Sequence, residues 1–334
     1  MQAHQSKELS MEEMITIILS TLAATIRVST PLVLCAMAGI FSERSGVIDI
    51  SLEGKLLAGA FISAGVASVT GSAWMGLGAA MLLTMALSVL HGFACITHKG
   101  NQVVSGVAIN IMVSGLTVVL GIAWFHQGGQ TPTLPAEARF LPITLPGVEL
   151  LSQVPILGDV YRKIISGHNL LVYVAFLSVF ITSWVLFKTR FGLRLRAVGE
   201  SPNAVDTAGI SVVFLRYRAV IIGGLLCGIA GTYLSIAQNA SFVKEMSAGQ
   251  GYIALAAMIF GKWKPFTAML ACLMFGFLDA VAIRLQGVEV AGIGEVPVQL
   301  IQALPYIMTV ILLASFVGRA VAPKAIGIPY VKER

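Results

Sequence analysis

The sequence predicts an all-α, polytopic integral membrane protein with about 9 to 10 transmembrane helices, some of them broken or re-entrant. Three observations predict this class. Of the 334 residues, 57% are hydrophobic and only 11% are charged, with a mean hydropathy of +0.87; ordinary soluble domains are roughly 45–50% apolar. The apolar residues fall in successive runs, and a hydrocarbon core about 30 Å thick takes about 20 residues of helix to cross. A lone strand in lipid would leave its backbone groups unpaired, so each run is a helix.

In chain order the apolar segments cover 14–40, 54–70, 74–97, 102–125, 169–187, 217–237, 252–261, 265–283 and 297–317. Before them, 1–13 is a polar tail. The N-terminal sequence "MQAHQSKELSMEEM" (1–14) lacks the basic start and small-residue cleavage site of a signal peptide, so the first segment is expected to be retained. The segment in "GYIALAAMIFGKWKP" is too short to span alone and is closed by Pro265, which predicts a half-helix or re-entrant piece. Everything from 14 to 317 forms one transmembrane domain, followed by a tail at 318–334.

Lysine and arginine set the orientation. The break 188–218 holds Lys188, Arg190, Arg194, Arg196, Arg216 and Arg218; Lys262 and Lys264 follow; the tail holds Arg319, Lys324, Lys332 and Arg334. All are expected on the cytoplasmic side, which puts the long Pro-rich loop 126–168 and the loop 239–251 outside. Nine spans then leave the N-terminus outside; a tenth element, placed in 41–55, would bring it in. The formal charge of +6 is thereby explained by topology, and without aromatic interleaving it does not indicate nucleic acid. Cys35, Cys95, Cys227 and Cys272 are far apart, without CxxC or Cys/His spacing, and read as small apolar residues rather than metal ligands.

The stretch 41–55, "FSERSGVIDISLEGK", crowds Glu43, Arg44, Asp49, Glu53 and Lys55 between two apolar segments. Asp49 and Glu53 are four apart and would share a helix face, yet nothing accompanies them that an acid/base pair would need. Salt bridging to Arg44 or Lys55 around a helix broken at "RSG" fits better, so Arg44, Gly46, Asp49 and Glu53 are read as a structural break. A cation site from Asp49, Glu53 and Asp279 is the other reading.

The sequence contains no GxxxxGK[ST], HExxH or GxSxG motif, and its histidines are scattered at 4, 91, 98, 126 and 168. The chain therefore hydrolyses no nucleotide itself and no metal site is expected. Within the loop 188–216, "SPNAVDTAGI" reads as a short helix with Ser201 as N-cap, Pro202 at the first position, Ala204 and Ala208 on a small-residue face and Gly209 as terminator. Such a helix suits docking into another protein; the alternative is an ordinary solvated connector, which needs neither caps nor an Ala-rich face. On "NQVVSGVAINIMVSG", Asn101, Ser105, Asn110 and Ser114 recur at spacings of four, five and four, along one slowly rotating face. Neutral hydrogen-bonding groups at membrane depth either line a path for an uncharged solute or pack helices together. Asp279, Gln299 and Gln302 are open to the same two readings.

The stretches "AVGESPNAVDTAGISV", "FSERSGVIDISLEGKLLAGAF", "NQVVSGVAINIMVSGLT" and "GQGYIALAAMIFGKWKP" resemble the inner-membrane permease subunit of ABC importers for ribose-like sugars, branched-chain amino acids and nucleosides. The resemblance runs from about 14 to 317 and is closest to the nucleoside, or simple-sugar, branch. It implies two permeases, the second a related chain, with two cytoplasmic ATPases that use ATP and an external substrate-binding lipoprotein; this chain carries no cofactor. It also implies that Gly199, Glu200, Pro202, Ala208 and Gly209 belong to a coupling helix seated in the ATPase, with alternating access as the mechanism. An ion-coupled secondary transporter and an intramembrane enzyme are the competing classes.

Overall fold

The computed structural model describes residues 11–148, 157–286, 289–290, 294–295, 303, 307, 310 and 321–332. Helix α1 (Met11–Arg44) is followed by α2 (Leu52–Thr70) and by α3 (Ala73–Gly92), which ends in a π-turn, Phe93–Thr97. Then come α4 (Gln102–Phe125) and the short α5 (Leu157–Val160), flanked by two-residue strands β1 (Pro142–Ile143) and β2 (His168–Asn169) that pair antiparallel. Helices α6 (Leu170–Lys188), α7 (Arg190–Glu200), α8 (Pro202–Thr207) and α9 (Val212–Thr232, with a π-turn at Tyr233–Gln238) follow. The short α10 (Gln250–Phe260) and the long α11 (Pro265–Leu285) complete the described helices.

Seven of these helices are long and apolar enough to cross a membrane, and α10 is the shorter apolar helix that its sequence predicts. The predicted segment 297–317, with Gln299 and Gln302, lies outside the described residues apart from Ala303, Ile307 and Val310. No tenth element forms at 41–55: α1 stops at Arg44 and a seven-residue turn, 45–51, leads directly into α2.

Helix α1 is the central post. From Leu32 to Ala38 it is completely buried, with α9, α10 and α11 packed around it. Pro31 lies inside it and has no N–H for the carbonyl of Arg27; the Tyr233 hydroxyl of α9 donates to that carbonyl at 2.8 Å. Helix α9 approaches its neighbours through glycines. A methyl group on Gly231 would lie 2.5 Å from Ala60 N and Leu56 O of α2, and one on Gly228 would lie 2.6 Å from Thr84 Oγ1 of α3. Small residues at such crossings let helices pack by dispersion where lipid supplies no hydrophobic drive.

The basic breaks meet at one end of the bundle. Arg44 donates to the Trp263 carbonyl at 2.9 Å, and the Ala325 amide donates to the Gly199 carbonyl at 2.8 Å. The two long loops meet at the other end, where Gln130 bridges Val243, the Leu134 amide donates to the Ala240 carbonyl at 2.7 Å, and the Phe140 amide donates to the Ile236 carbonyl at 3.1 Å.

Candidate functional site

The turn 45–51 is where the charged residues converge. Helix α1 ends because the Gly46 amide returns to the Glu43 carbonyl (2.9 Å) and the Val47 amide to the Ser42 carbonyl (3.2 Å), with Gly46 at φ 87°. That left-handed conformation favours glycine, and a Cβ there would also stand 2.9 Å from the Ala325 carbonyl oxygen.

Every charged side chain in 41–55 has a structural partner. Glu43 accepts from Trp263 Nε1 at 2.5 Å, while Arg44 donates to the Trp263 carbonyl; together they hold the turn after α10, where Lys262 and Trp263 both adopt φ 54°. Two consecutive non-glycine residues in that region are strained, and they persist because α1 clamps them. Asp49 pairs with Lys55 Nζ at 2.5 Å, both side chains fully buried, and also accepts from Ser51 Oγ. Glu53 accepts from Ser247 Oγ (2.6 Å), Gly249 N (2.9 Å) and Gly251 N (2.6 Å), so its carboxylate caps the N-terminus of the half-helix α10. The shared face predicted for Asp49 and Glu53 does not form, since Asp49 sits in the turn and only Glu53 lies on α2. Arg44 likewise bridges to backbone carbonyls rather than to either carboxylate.

Helix α4 lies alongside this turn. Asn101 caps its start, accepting from Val103 N (2.9 Å) and Val104 N (3.1 Å). Ser105 meets His91 Nδ1 at 3.0 Å, while His91 Nε2 donates to the Ile48 carbonyl at 2.9 Å. Asn110 accepts from Gly54 N (2.8 Å) and donates to the Ile50 carbonyl (3.0 Å) and to the Tyr252 hydroxyl oxygen (2.9 Å). Ser114 donates to the carboxylate of Glu245 in the loop before α10. Asn110 and Ser114 therefore touch the half-helix or the loop before it, whereas Asn101 and Ser105 brace α4 and α3. Asp279 is half-buried on α11 and outside this group.

Sequence reasoning missed Glu245 and Tyr252. Both are exposed, and Ser114 stands near the middle of the 24-residue α4, so Glu245 is a carboxylate at membrane depth. Its signal was a charged pair, Lys244 and Glu245, immediately before a short apolar helix.

At the end where the basic breaks meet, α7 begins with Thr189 Oγ1 accepting from Gly192 N at 3.1 Å, and runs to Glu200. Helix α8 follows at once, with Pro202 in its first turn and Gly209 at φ 77° just beyond it. Val205 is its buried anchor, packed with Val198, Val212 and Leu215, while Ala204, Ala208 and Gly209 stay exposed. Gly199 differs from its neighbours. It belongs to α7 and is buried against the Arg44 carbonyl and Pro323, with no room for a Cβ. Ser201 precedes α8 without a side-chain capping bond. Among the described residues no group of His, Cys, Asp and Glu could hold a metal ion.

The chain matches, over residues 21–313, the family described as branched-chain amino acid transport system / permease component. It is 40% identical over 313 residues to the nucleoside ABC transporter permease protein NupC of Lactococcus lactis, covering 92% of this chain and 95% of the relative. It is 39% identical over 315 residues to the guanosine ABC transporter permease protein NupQ of Bacillus subtilis, covering the same shares, 92% and 95%. A second Bacillus subtilis protein, the guanosine ABC transporter permease protein NupP, is 26% identical over 269 residues, covering 78% of this chain and 73% of the relative. With seven membrane-length helices among the described residues and a family match across most of its length, the chain belongs to the branched-chain amino acid transport system / permease component family and is a multi-pass membrane transport subunit of an ABC transporter, not an enzyme.

Proposed function

We propose that the chain carries a nucleoside inward by alternating access, driven by ATP hydrolysed on separate cytoplasmic subunits. An external binding lipoprotein delivers the solute, and a second permease stands beside this one. The observation that carries the substrate is the 40% identity, across 92% of the chain, to a nucleoside permease protein. That one bacterium has two guanosine permease proteins, 39% and 26% identical to this chain, supports a partner that is related but not identical.

The positive-inside rule assigns the end bearing 188–216, Lys262, Lys264 and 321–332 to the cytoplasm. There α8, with Glu200, Pro202, Ala208 and Gly209, offers the exposed knob that an ATPase groove would seat, while Gly199 fixes its base to α1. Asn110 and Ser114, with Tyr252 and Glu245 beside them, form the polar group at membrane depth best suited to line the path; Asp279 lies apart from them. Hydroxyl and amide groups match the hydroxyls of a ribose ring without demanding a charged cargo.

The test is competition. In vesicles holding the complete transporter, uptake of labelled guanosine should be blocked by unlabelled nucleosides and untouched by ribose, glucose or leucine at tenfold higher concentration. Competition by a sugar or by leucine, with none by nucleosides, would reject the nucleoside reading and leave the permease assignment standing.

A further inference from the structure

The segment 321–332 is not a loose end. It has no helix or strand of its own, yet it is bonded to three other parts of the fold. The Ala325 amide donates to the Gly199 carbonyl at the end of α7 (2.8 Å). Two residues on, the Gly327 amide donates to the Gly46 carbonyl in the turn 45–51 (3.0 Å). The Ile328 carbonyl accepts from Arg216 Nη1 at 3.1 Å, and Nε of the same buried guanidinium donates to the Ser45 carbonyl at 3.1 Å. Tyr330 then packs on the cluster that anchors α8, formed by Val198, Val205, Val212 and Leu215. Lys332 reaches Asp206 of α8 at 3.9 Å.

Terminal segments are usually frayed unless tied down. Here the ties fall on two sites that no hydrogen bond joins directly: α8 on one side and the turn 45–51 on the other. The turn leads in turn to Glu53, which caps α10, so a continuous set of contacts runs from the exposed knob to the half-helix.

We propose that 321–332 is a strap that fixes the coupling helix α8 to the α1–α2 turn and delivers the displacement of α8 to that turn. The proposal rests on the coupling role given to α8 above. Arg216, Gly327 and Tyr330 are then positioning residues: they touch no solute and set whether a movement of α8 reaches the membrane domain. Coupling requires a connected element that both sites bias; the strap touches both, and it does so beside α9, whose Val212 and Leu215 pack on Val205 and whose Arg216 donates to the Ser45 carbonyl.

The experiment uses the complete reconstituted transporter and reads three quantities: ATPase retained on the purified permease, ATP hydrolysed, and nucleoside imported per ATP. The variants are a chain ending at residue 320, Tyr330→Ala and Tyr330→Phe. With the strap removed, the ATPases should stay bound and hydrolyse ATP while import per ATP falls at least tenfold. Tyr330→Ala should fall part of the way, and Tyr330→Phe, which keeps the ring on the cluster, should fall less. If the shortened chain fails to insert, the two Tyr330 variants decide alone. Unchanged import per ATP in Tyr330→Ala, or loss of bound ATPase on removing the strap, overturns the proposal. A separate Ala204→Arg variant tests the underlying reading. If ATPase binding survives that bulky charge on α8, the coupling role itself fails, whatever the strap does.

Discussion

Asp49 and Lys55 are fully buried and 2.5 Å apart. Two charges taken out of water are stabilised only while both are present, and removing one partner of such a pair costs about 3–5 kcal/mol. Asp49→Asn should therefore lower the thermal stability of the purified permease sharply, whereas Asp49→Asn with Lys55→Met should recover part of the loss. Equal melting temperatures for the single and double variants would show that the pair is not coupled. The sequence made the break in 41–55 legible: α1 stops at Arg44, and Gly46 turns the chain at φ 87°. The Asp49–Lys55 pair is one of the salt bridges expected from sequence, but the partners of Glu43 and Glu53 were hidden, because Glu53 bonds to residues 194 to 198 positions away and Glu43 to one 220 positions away. No local spacing rule reaches that far. Arg216 shows the same limit: counted from sequence as one more cytoplasmic charge, it is 1% exposed and spans the turn and the strap.

Helix α1 accommodates Pro31 because α9 supplies the missing donor through Tyr233. Tyr233→Phe leaves the Arg27 carbonyl without that bond, and a buried unsatisfied group costs about 1–3 kcal/mol. Adding Pro31→Ala restores an amide at position 31, so the same Tyr233→Phe change should cost less in that background. A double-mutant cycle of thermal stability in detergent measures the difference, and strict additivity would contradict the account. At this scale the long helices and the half-helix α10 were legible, since length and hydropathy decide them. The π-turns that extend α3 and α9 were not. They arise from one extra residue per turn, which hydropathy does not register.

For the whole molecule, one end carries the basic breaks and the other carries the two paired loops. Among the described residues the direct turn at 45–51 adds no element between α1 and α2, and with the basic breaks inside, an N-terminus outside is the expected arrangement. All four native cysteines are buried, so a single introduced cysteine can be read against a quiet background. Gln127→Cys and Met14→Cys should react with an impermeant thiol reagent added outside intact cells, and Lys264→Cys only after the membrane is opened. Labelling of Lys264→Cys from outside would invert the topology. A cysteine at Ser42 would report nothing, because Ser42 is fully buried and donates to the Val47 carbonyl.

The central claim is that this chain moves solute only when separate subunits spend ATP. It is tested by measuring nucleoside uptake into vesicles that hold the chain with and without its ATPases, partner permease and binding protein, under an imposed proton or sodium gradient. The account predicts uptake only in the complete, ATP-supplied vesicles, with the gradient making no difference. Gradient-driven uptake by this chain alone would contradict it and assign the protein to ion-coupled transport.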